Sequence, residues 1–257
     1  MLLQGKHAVI YGAGGSLGGA VARVFAREGA TVFLTGRNSG SLRKVHEDIL
    51  NEGGTSEMAI VDAMDESAVR EHLENLARRT GHVDISFNAI GLESVQGIPL
   101  KDMKLEDFTL PVFIAMQTLF ITATAAGRQM VKQGSGTILF LTATPAGMAY
   151  PQVGGFGPAC SAIEGFTRNL AAELGPSGVR VVGIRSAGSP DSEVFIKAVA
   201  EGGTPAKTEV QALIDDTMLR RLPLMNDIAE TAAFIVSDKA AALTGSTVNL
   251  TCGTTMD

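Results

Sequence analysis

The sequence predicts an α/β fold in which a parallel sheet of about seven strands lies between two layers of helices. Short, almost entirely apolar runs alternate with longer segments whose apolar residues recur at helical spacing. Strands that are apolar on both faces are typical of a parallel sheet covered on both sides, which gives three layers. The 257 residues, 45% of them hydrophobic, are enough for one large core. Since no linker, repeat or low-complexity tract divides residues 1–257, we expect a single domain.

Strands and helices are expected in strict alternation from the N-terminus. The predicted strands are 7–11, 30–35, 56–61, 83–89, 137–142, 179–185 and 246–250. The predicted helices are 17–29, 41–51, 66–80, 104–132, 156–174 and 227–237, with two short helices between 193 and 219. Asn38 or Ser39 can cap the second helix. Pro111 is expected to kink or interrupt the long helix near its start, because proline lacks the amide hydrogen.

Composition excludes several classes of protein. The net charge is -6 and no basic patch is visible, so we expect no nucleic-acid partner. Cys160 and Cys252 are too few for a disulfide scaffold and have no zinc-ligand spacing, so we predict no metal site and a reduced cytoplasmic setting. The N-terminus is apolar only briefly and predicts neither a signal peptide nor a membrane span. The four histidines fall away from the expected crevice, and none is assigned to chemistry.

A glycine-rich turn joins the first strand to the first helix. Its sequence runs from Gly12 through Gly15, Ser16 and Leu17 to Gly18. Glycines let the backbone approach a pyrophosphate closely, and the helix N-terminus offers free amide groups and a positive dipole. Such a turn can also be no more than a tight connection, but its place between a strand and a helix favours a Rossmann-type, doubly wound dinucleotide site.

The end of the second strand indicates which dinucleotide is preferred. An acidic residue there would bond the adenosine ribose, whereas this chain has Thr35-Gly36-Arg37. Arg37 can pair with a 2′-phosphate, so we expect NADP(H) in preference to NAD(H), although a solvated surface arginine is the alternative. Asp62 could accept from the adenine amine or cap the next helix, and Asn88 could line the crevice or hold a turn. The other residues expected to bind the cofactor lie at the ends of the later strands or in the turns after them. They are Asp62, Ala63, Asn88, Ala89, Gly91 and Ser186.

The chain resembles the short-chain dehydrogenase/reductase family along nearly its whole length. The resemblance is carried by LLQGKHAVIYGAGGSLG at the start, Asp62, DISFNAIG at 84–91, GTILFLTA at 136–143, SAIEGFTRNLAAELGPSGVRV at 161–181 and DIAETAAFIVSDKAAALTGSTVNL at 227–250. It implies an NAD(P) cofactor, a small-molecule substrate, and a homotetramer or dimer built on the fourth and fifth major helices and the last strand. The glycine turn departs from the family pattern, since Tyr11 replaces a threonine and Ser16 replaces the middle glycine.

The same resemblance implies an atypical active site. Members of the family use a Ser-Tyr-Lys set with a helper Asn, in which the tyrosine is the general acid and the lysine lowers its pKa. Here Phe156 occupies the tyrosine slot, Cys160 the lysine slot, Ala143 the serine slot and Ala115 the asparagine slot. Phe156 cannot give a proton, and a cysteine with an ordinary pKa is mostly a neutral thiol.

Three functions are therefore compatible with the sequence. The first is an NADP(H)-dependent reductase whose substrate needs no enzyme proton donor, such as an iminium ion or an activated alkene. The second is a catalytically inactive cofactor-binding or scaffold protein, a pseudoenzyme. The third is an ordinary ketone or alcohol oxidoreductase that uses displaced residues such as Tyr150. The residues expected to line the substrate pocket are Glu93, Ala143, Thr144, Tyr150, Phe156 and Asp191.

Overall fold

A computed structural model describes residues 1–256, apart from the side chains of residues 204–206. Within this part of the chain, seven parallel strands form one sheet in the order β3-β2-β1-β4-β5-β6-β7. The strands are β1 His7–Tyr11, β2 Thr31–Gly36, β3 Thr55–Ile60, β4 Ile85–Asn88, β5 Gly136–Ala143, β6 Val179–Ser186 and β7 Thr247–Leu250. The strand order reverses between β1 and β4, which makes the sheet doubly wound, as predicted.

Helices cover both faces of the sheet and complete three layers. They are α1 Ser16–Arg27, α2 Ser39–Asn51, α3 Glu66–Thr80, α4 Leu105–Gln133, α5 Phe156–Leu174, α6 Glu193–Asp215 and α7 Met225–Val236. One core cluster joins the sheet to α1, α2 and α7, and the other joins it to α3, α4 and α5. Along β1, Ala8 and Ile10 enter the first cluster while Val9 and Tyr11 enter the second. This alternation explains why β1 is apolar on both faces.

Local capping sets the starts of two helices. The Asn38 side chain accepts from the amides of Gly40 and Ser41 at the start of α2, so Asn38 rather than Ser39 is the cap. Asp65 accepts from the amide of Ala68 at the start of α3. The cap of α3 is therefore Asp65, and Asp62 is left for another role.

The interruption expected at Pro111 does not occur. The structure has one helix, α4, that runs from Leu105 to Gln133 with Pro111 inside it. Proline removes one helical hydrogen bond, but α4 packs along α3, α5 and three strands, and this packing holds the helix together across the proline. The two short helices expected between 193 and 219 correspond to the two parts of α6. Gly203, with φ 59° and ψ -138°, is not helical and separates them.

α4 is also long and apolar enough to cross a membrane, judged by length and composition alone. This is weak evidence for a membrane span, since the core helix of a soluble protein passes the same test. In the structure α4 contacts α3, α5, β4 and β5, and 44% of its most apolar window is buried.

Candidate functional site

A cavity of about 460 Å³ lies beyond the carboxyl ends of β1, β2, β3 and β4. This is the edge of a doubly wound sheet at which ligands bind. The cavity is lined by seven of the predicted cofactor-binding residues, Gly12, Gly15, Arg37, Asp62, Ala63, Ala89 and Gly91. Its far wall is formed by Leu110, Phe113, Ile114 and Thr118 of α4. Sequence reasoning missed this wall, because nothing in the pattern of α4 shows which part of the helix reaches the crevice.

The glycines of the first turn are needed for different reasons. Gly12 has φ +75°, and a Cβ there would lie 2.9 Å from the carbonyl oxygen of Ala89. A Cβ on Gly18 would overlap the carbonyl oxygen of Gly12. The chain's own packing thus requires both of these glycines.

Gly15 differs, because the protein itself leaves room for a side chain there. It is the N-cap of α1 with φ -83° and ψ 167°, which any residue can adopt, and the nearest atom to an added Cβ is 3.4 Å away. The space in front of the α1 N-terminus therefore fits a phosphate group, which free helix amides bind well.

Ser16 and Leu17 begin α1 but do not line the cavity. Ser16 Oγ accepts a hydrogen bond from the amide of Glu193 at 3.2 Å. Leu17 packs against the core between the sheet and α1. Ser16, which departs from the family's glycine, thus connects the glycine turn to the start of α6.

Arg37, Asp62 and Glu93 line the same cavity. Arg37 is exposed, and no hydrogen bond or ion pair joins it to the other residues that the structure describes. Asp62 Oδ1 accepts from the amide of Met64 at 3.0 Å, which fixes the carboxylate at the cavity wall. Glu93, predicted to line the substrate pocket, lies in this cavity beside the predicted cofactor-binding residues.

Hydrogen bonds hold two other predicted site residues, Asn88 and Asp191, against neighbouring elements. Asn88 is buried, donates to Thr122 Oγ1 at 3.1 Å and accepts from the amide of Ile90 at 3.1 Å. It fastens the turn after β4 to α4 and is not among the residues that line the cavity. The Asp191 carboxylate accepts from the amide of Met225 and fixes the loop after β6 to the start of α7.

The four slots of the expected catalytic set lie on β5, α4 and α5. Thr142 Oγ1 donates to the carbonyl oxygen of Cys160 at 3.1 Å, which brings the end of β5 against the start of α5. Cys160 is 1% exposed, and burial raises the pKa of its thiol to about 11. Ala143 ends β5, half-buried Phe156 begins α5, and Ala115 is fully buried in the core. The slots therefore contain no group that exchanges a proton near neutral pH.

A family model described as enoyl-(acyl carrier protein) reductase matches residues 12–255. The chain belongs to the short-chain dehydrogenase/reductase family. It is 28% identical over 251 residues to the 7alpha-hydroxysteroid dehydrogenase of Escherichia coli strain K12, covering 98% of this chain and 94% of that protein. It is 26% identical over 254 residues to the D-threitol dehydrogenase of Mycolicibacterium smegmatis, covering 99% of this chain and 94% of that protein. The solved structure of NAD+-bound xylitol dehydrogenase is similar, with a TM-score of 0.90, 26% identity, and coverage of 98% of this chain and 100% of that one.

Against this short-chain dehydrogenase/reductase background, the remaining polar groups near the slots offer little acid–base chemistry. Thr144 is buried at the start of a 3-10 turn, and Ser186 Oγ donates to the carbonyl oxygen of Ala187. Tyr150 is half-buried in the loop between β5 and α5, and its hydroxyl has no hydrogen bond to the other described residues. Tyr11 also lines the cavity, but burial raises the pKa of its phenol well above its usual range, and its hydroxyl finds no partner among the described residues.

Sequence reasoning missed a buried ion pair just below the slots. Arg185 at the end of β6 donates to Glu164 of α5 through Nε at 2.8 Å and Nη2 at 2.7 Å. Both side chains are more than nine-tenths buried. The Arg185 guanidinium also lies against Gly147, where an added Cβ would be 2.6 Å from Nη1.

Proposed function

We propose that this short-chain dehydrogenase/reductase binds NADP(H) and reduces a substrate that needs no proton from the enzyme. An iminium ion and an activated alkene protonated by water are such substrates. The observation that carries the proposal is the chemistry of the slots, since Phe156 has no hydroxyl and Cys160 is a buried, neutral thiol. A general acid contributes about 10²–10⁴-fold to the rate, so ordinary ketone reduction would be slow here. The description of the family model, an enoyl reductase, names activated-alkene chemistry and supports this substrate class.

The described residues fit the adenosine half of the cofactor. Gly12 and Gly15 would hold the pyrophosphate at the N-terminus of α1, Arg37 the 2′-phosphate, and Asp62 the adenine amine. When bound, the cofactor supplies the hydride. Ala143 and Phe156 would add apolar surface beside the reacting carbon.

Turnover with three panels of substrates tests the proposed reaction. We expect the full chain to consume NADPH with cyclic imines or with enones, and to be slow with ketones. NADPH absorbance follows the reaction, and an independent titration by fluorescence reports binding. If NADPH binds but neither imines nor enones are reduced, the proposed reaction is wrong.

Two other functions remain as outcomes of the same assay. Binding without any turnover would assign a non-catalytic cofactor-binding role, which the lack of proton carriers in the slots also favours. Ready ketone reduction would assign an ordinary oxidoreductase. Tyr150→Phe then decides whether Tyr150 is the displaced acid, since unchanged ketone turnover would exclude it.

The Arg37 side chain is expected to determine preference for NADPH. Arg37→Ser removes the one guanidinium placed in the cavity and should weaken NADPH binding by about 10-fold, leaving NADH affinity nearly unchanged. Fluorescence titration with both nucleotides measures the two affinities. Arg70→Ser is the matched control, because Arg70 is an exposed arginine on α3 that does not line the cavity. Equal losses for NADPH and NADH would refute the 2′-phosphate role.

We also propose a cytoplasmic homo-oligomer, with α4 and α5 at an interface. α4 leaves Phe120 more than half exposed, and Phe120 lies beside Phe166 of α5. Large exposed aromatic side chains on neighbouring helices are typical of a surface that another chain covers. Light scattering of the full chain tests the assembly, and a monomer would refute it; cell fractionation tests the location.

A further inference from the structure

Three metal-ligand side chains come together at the amino-terminal edge of the sheet, the edge opposite the cavity. His7 is the first residue of β1, and the register that pairs Ala8 with Ile85 places His7 beside Asp84. The amide of Asp84 donates to the carbonyl oxygen of His7 at 3.0 Å, and the amide of His7 donates to Asp84 Oδ2 at 2.8 Å. The backbone therefore fixes the Asp84 carboxylate next to His7.

His82 completes the group. Its Nε2 lies 3.2 Å from Asp84 Oδ2, and its ring centroid lies 4.4 Å from that of His7. One ligand atom from each of the three residues lies within 4.8 Å of the other two. His7 Nδ1 is buried and has no hydrogen-bond partner among the described residues. A buried ring nitrogen without a partner is unfavourable, and a metal ion would satisfy it.

We propose that His7, His82 and Asp84 form a binding site for a divalent ion of the Zn²⁺ type. Two imidazoles and a carboxylate are a common protein donor set for Zn²⁺, and water can fill the fourth position. Zinc–ligand distances of about 2.0–2.2 Å place tetrahedral ligand atoms roughly 3.3–3.5 Å apart. The most widely separated donors, within 4.8 Å of each other, must therefore approach by up to about 1.5 Å, and the His82 side chain is 43% exposed and can adjust.

The backbone around the site is held in place by contacts outside the cluster. Gln133 of α4 pairs with both the amide and the carbonyl oxygen of Val83, at 3.2 and 2.7 Å. Thr80 Oγ1 donates to the carbonyl oxygen of His82 at 2.8 Å. The nearby cation Lys6 is paired with Asp238 at 3.0 Å, so its charge is partly neutralised by another carboxylate.

Bound metal would tie β1 to the segment that leads from α3 into β4. Since β1 is five residues long, the site lies about 16 Å from Gly12 of the glycine turn, and the proposal does not depend on the cofactor or the reaction. A ligand that binds only the folded chain raises its stability. The expected role is structural, at the edge of the sheet away from the crevice.

Calorimetric titration of tag-free, EDTA-treated protein with Zn²⁺ tests the proposal. We expect one ion per chain, and a rise in Tm of roughly 5–10 °C at a 100-fold excess of free Zn²⁺ over Kd. His82→Gln and Asp84→Asn should each weaken binding at least about 10-fold. Their Tm without metal should stay close to that of the unmodified chain, because the His82 ring is on the surface and asparagine keeps an acceptor for the His7 amide.

The control is His46→Gln, because His46 on α2 bonds Ser56 and lies outside the cluster. It should bind Zn²⁺ as the unmodified chain does. Failure of the unmodified chain to bind Zn²⁺ would overturn the proposal and leave His82 and Asp84 as an ion pair only. Binding that survives both His82→Gln and Asp84→Asn, or that is lost equally in His46→Gln, would also overturn it.

Discussion

Glu164→Ala is expected to lower the free energy of unfolding by about 3–5 kcal/mol, which corresponds to a fall in Tm of about 10 °C. The substitution leaves the guanidinium of Arg185 in a site that is almost closed to water, since the two side chains are 9% and 7% exposed. Arg185 then loses both bonds to the Glu164 carboxylate, and removing one partner of a buried ion pair costs far more than losing a surface contact. Thermal and urea unfolding of the two proteins measure the difference.

Two controls separate the lost ion pair from lost packing. In Glu164→Leu combined with Arg185→Met, both charges are removed and the volume is kept, so most of the stability should return. Asp48→Asn removes one partner of an ion pair that is about one-third exposed, Arg23–Asp48, and should cost less than about 1 kcal/mol. If Glu164→Ala costs no more than Asp48→Asn, the buried pair does not have the role assigned to it.

The same pair shows where prediction from sequence ends. The strands and most helices could be predicted to within a few residues because local apolar spacing determines them, as in β1 and α5. The partner of Arg185 could not, because it depends on how α5 lies across β6. The helical break expected at Pro111 failed for a related reason, since tertiary packing outweighed a local preference.

In the candidate site, too, the features set by local sequence could be predicted and those set by tertiary contacts could not. Gly12, Gly15 and Arg37 could be placed in one crevice, because the carboxyl ends of parallel strands meet at one edge of a sheet. The cluster of His7, His82 and Asp84 was missed, because it forms only through the register of β1 with β4. Residue type alone could not distinguish Asn88, which holds a turn, from Asp62, which lines the cavity.

Gly15→Asp should weaken NADPH binding by at least about 100-fold while leaving the fold intact. The aspartate carboxylate would stand at the N-terminus of α1, where the pyrophosphate is proposed to bind, and would both occupy the space and repel the phosphates. The backbone dihedrals of Gly15 suit an N-cap aspartate, and the nearest atom to an added Cβ is 3.4 Å away. Tm should therefore stay the same or rise slightly, because aspartate is a favourable N-cap.

Comparison with two further variants assigns the cause of the loss. Gly15→Asn has the same shape without the charge, so tighter NADPH binding than in Gly15→Asp isolates the electrostatic part. Gly18→Ala should lower Tm as well as binding, because its Cβ would overlap the carbonyl oxygen of Gly12. Nucleotide titration and thermal unfolding, measured on all three, separate a ligand space at Gly15 from a packing requirement at Gly18. Unchanged NADPH affinity in Gly15→Asp would remove the α1 N-terminus from the cofactor site, since a fixed negative charge there is incompatible with a bound pyrophosphate.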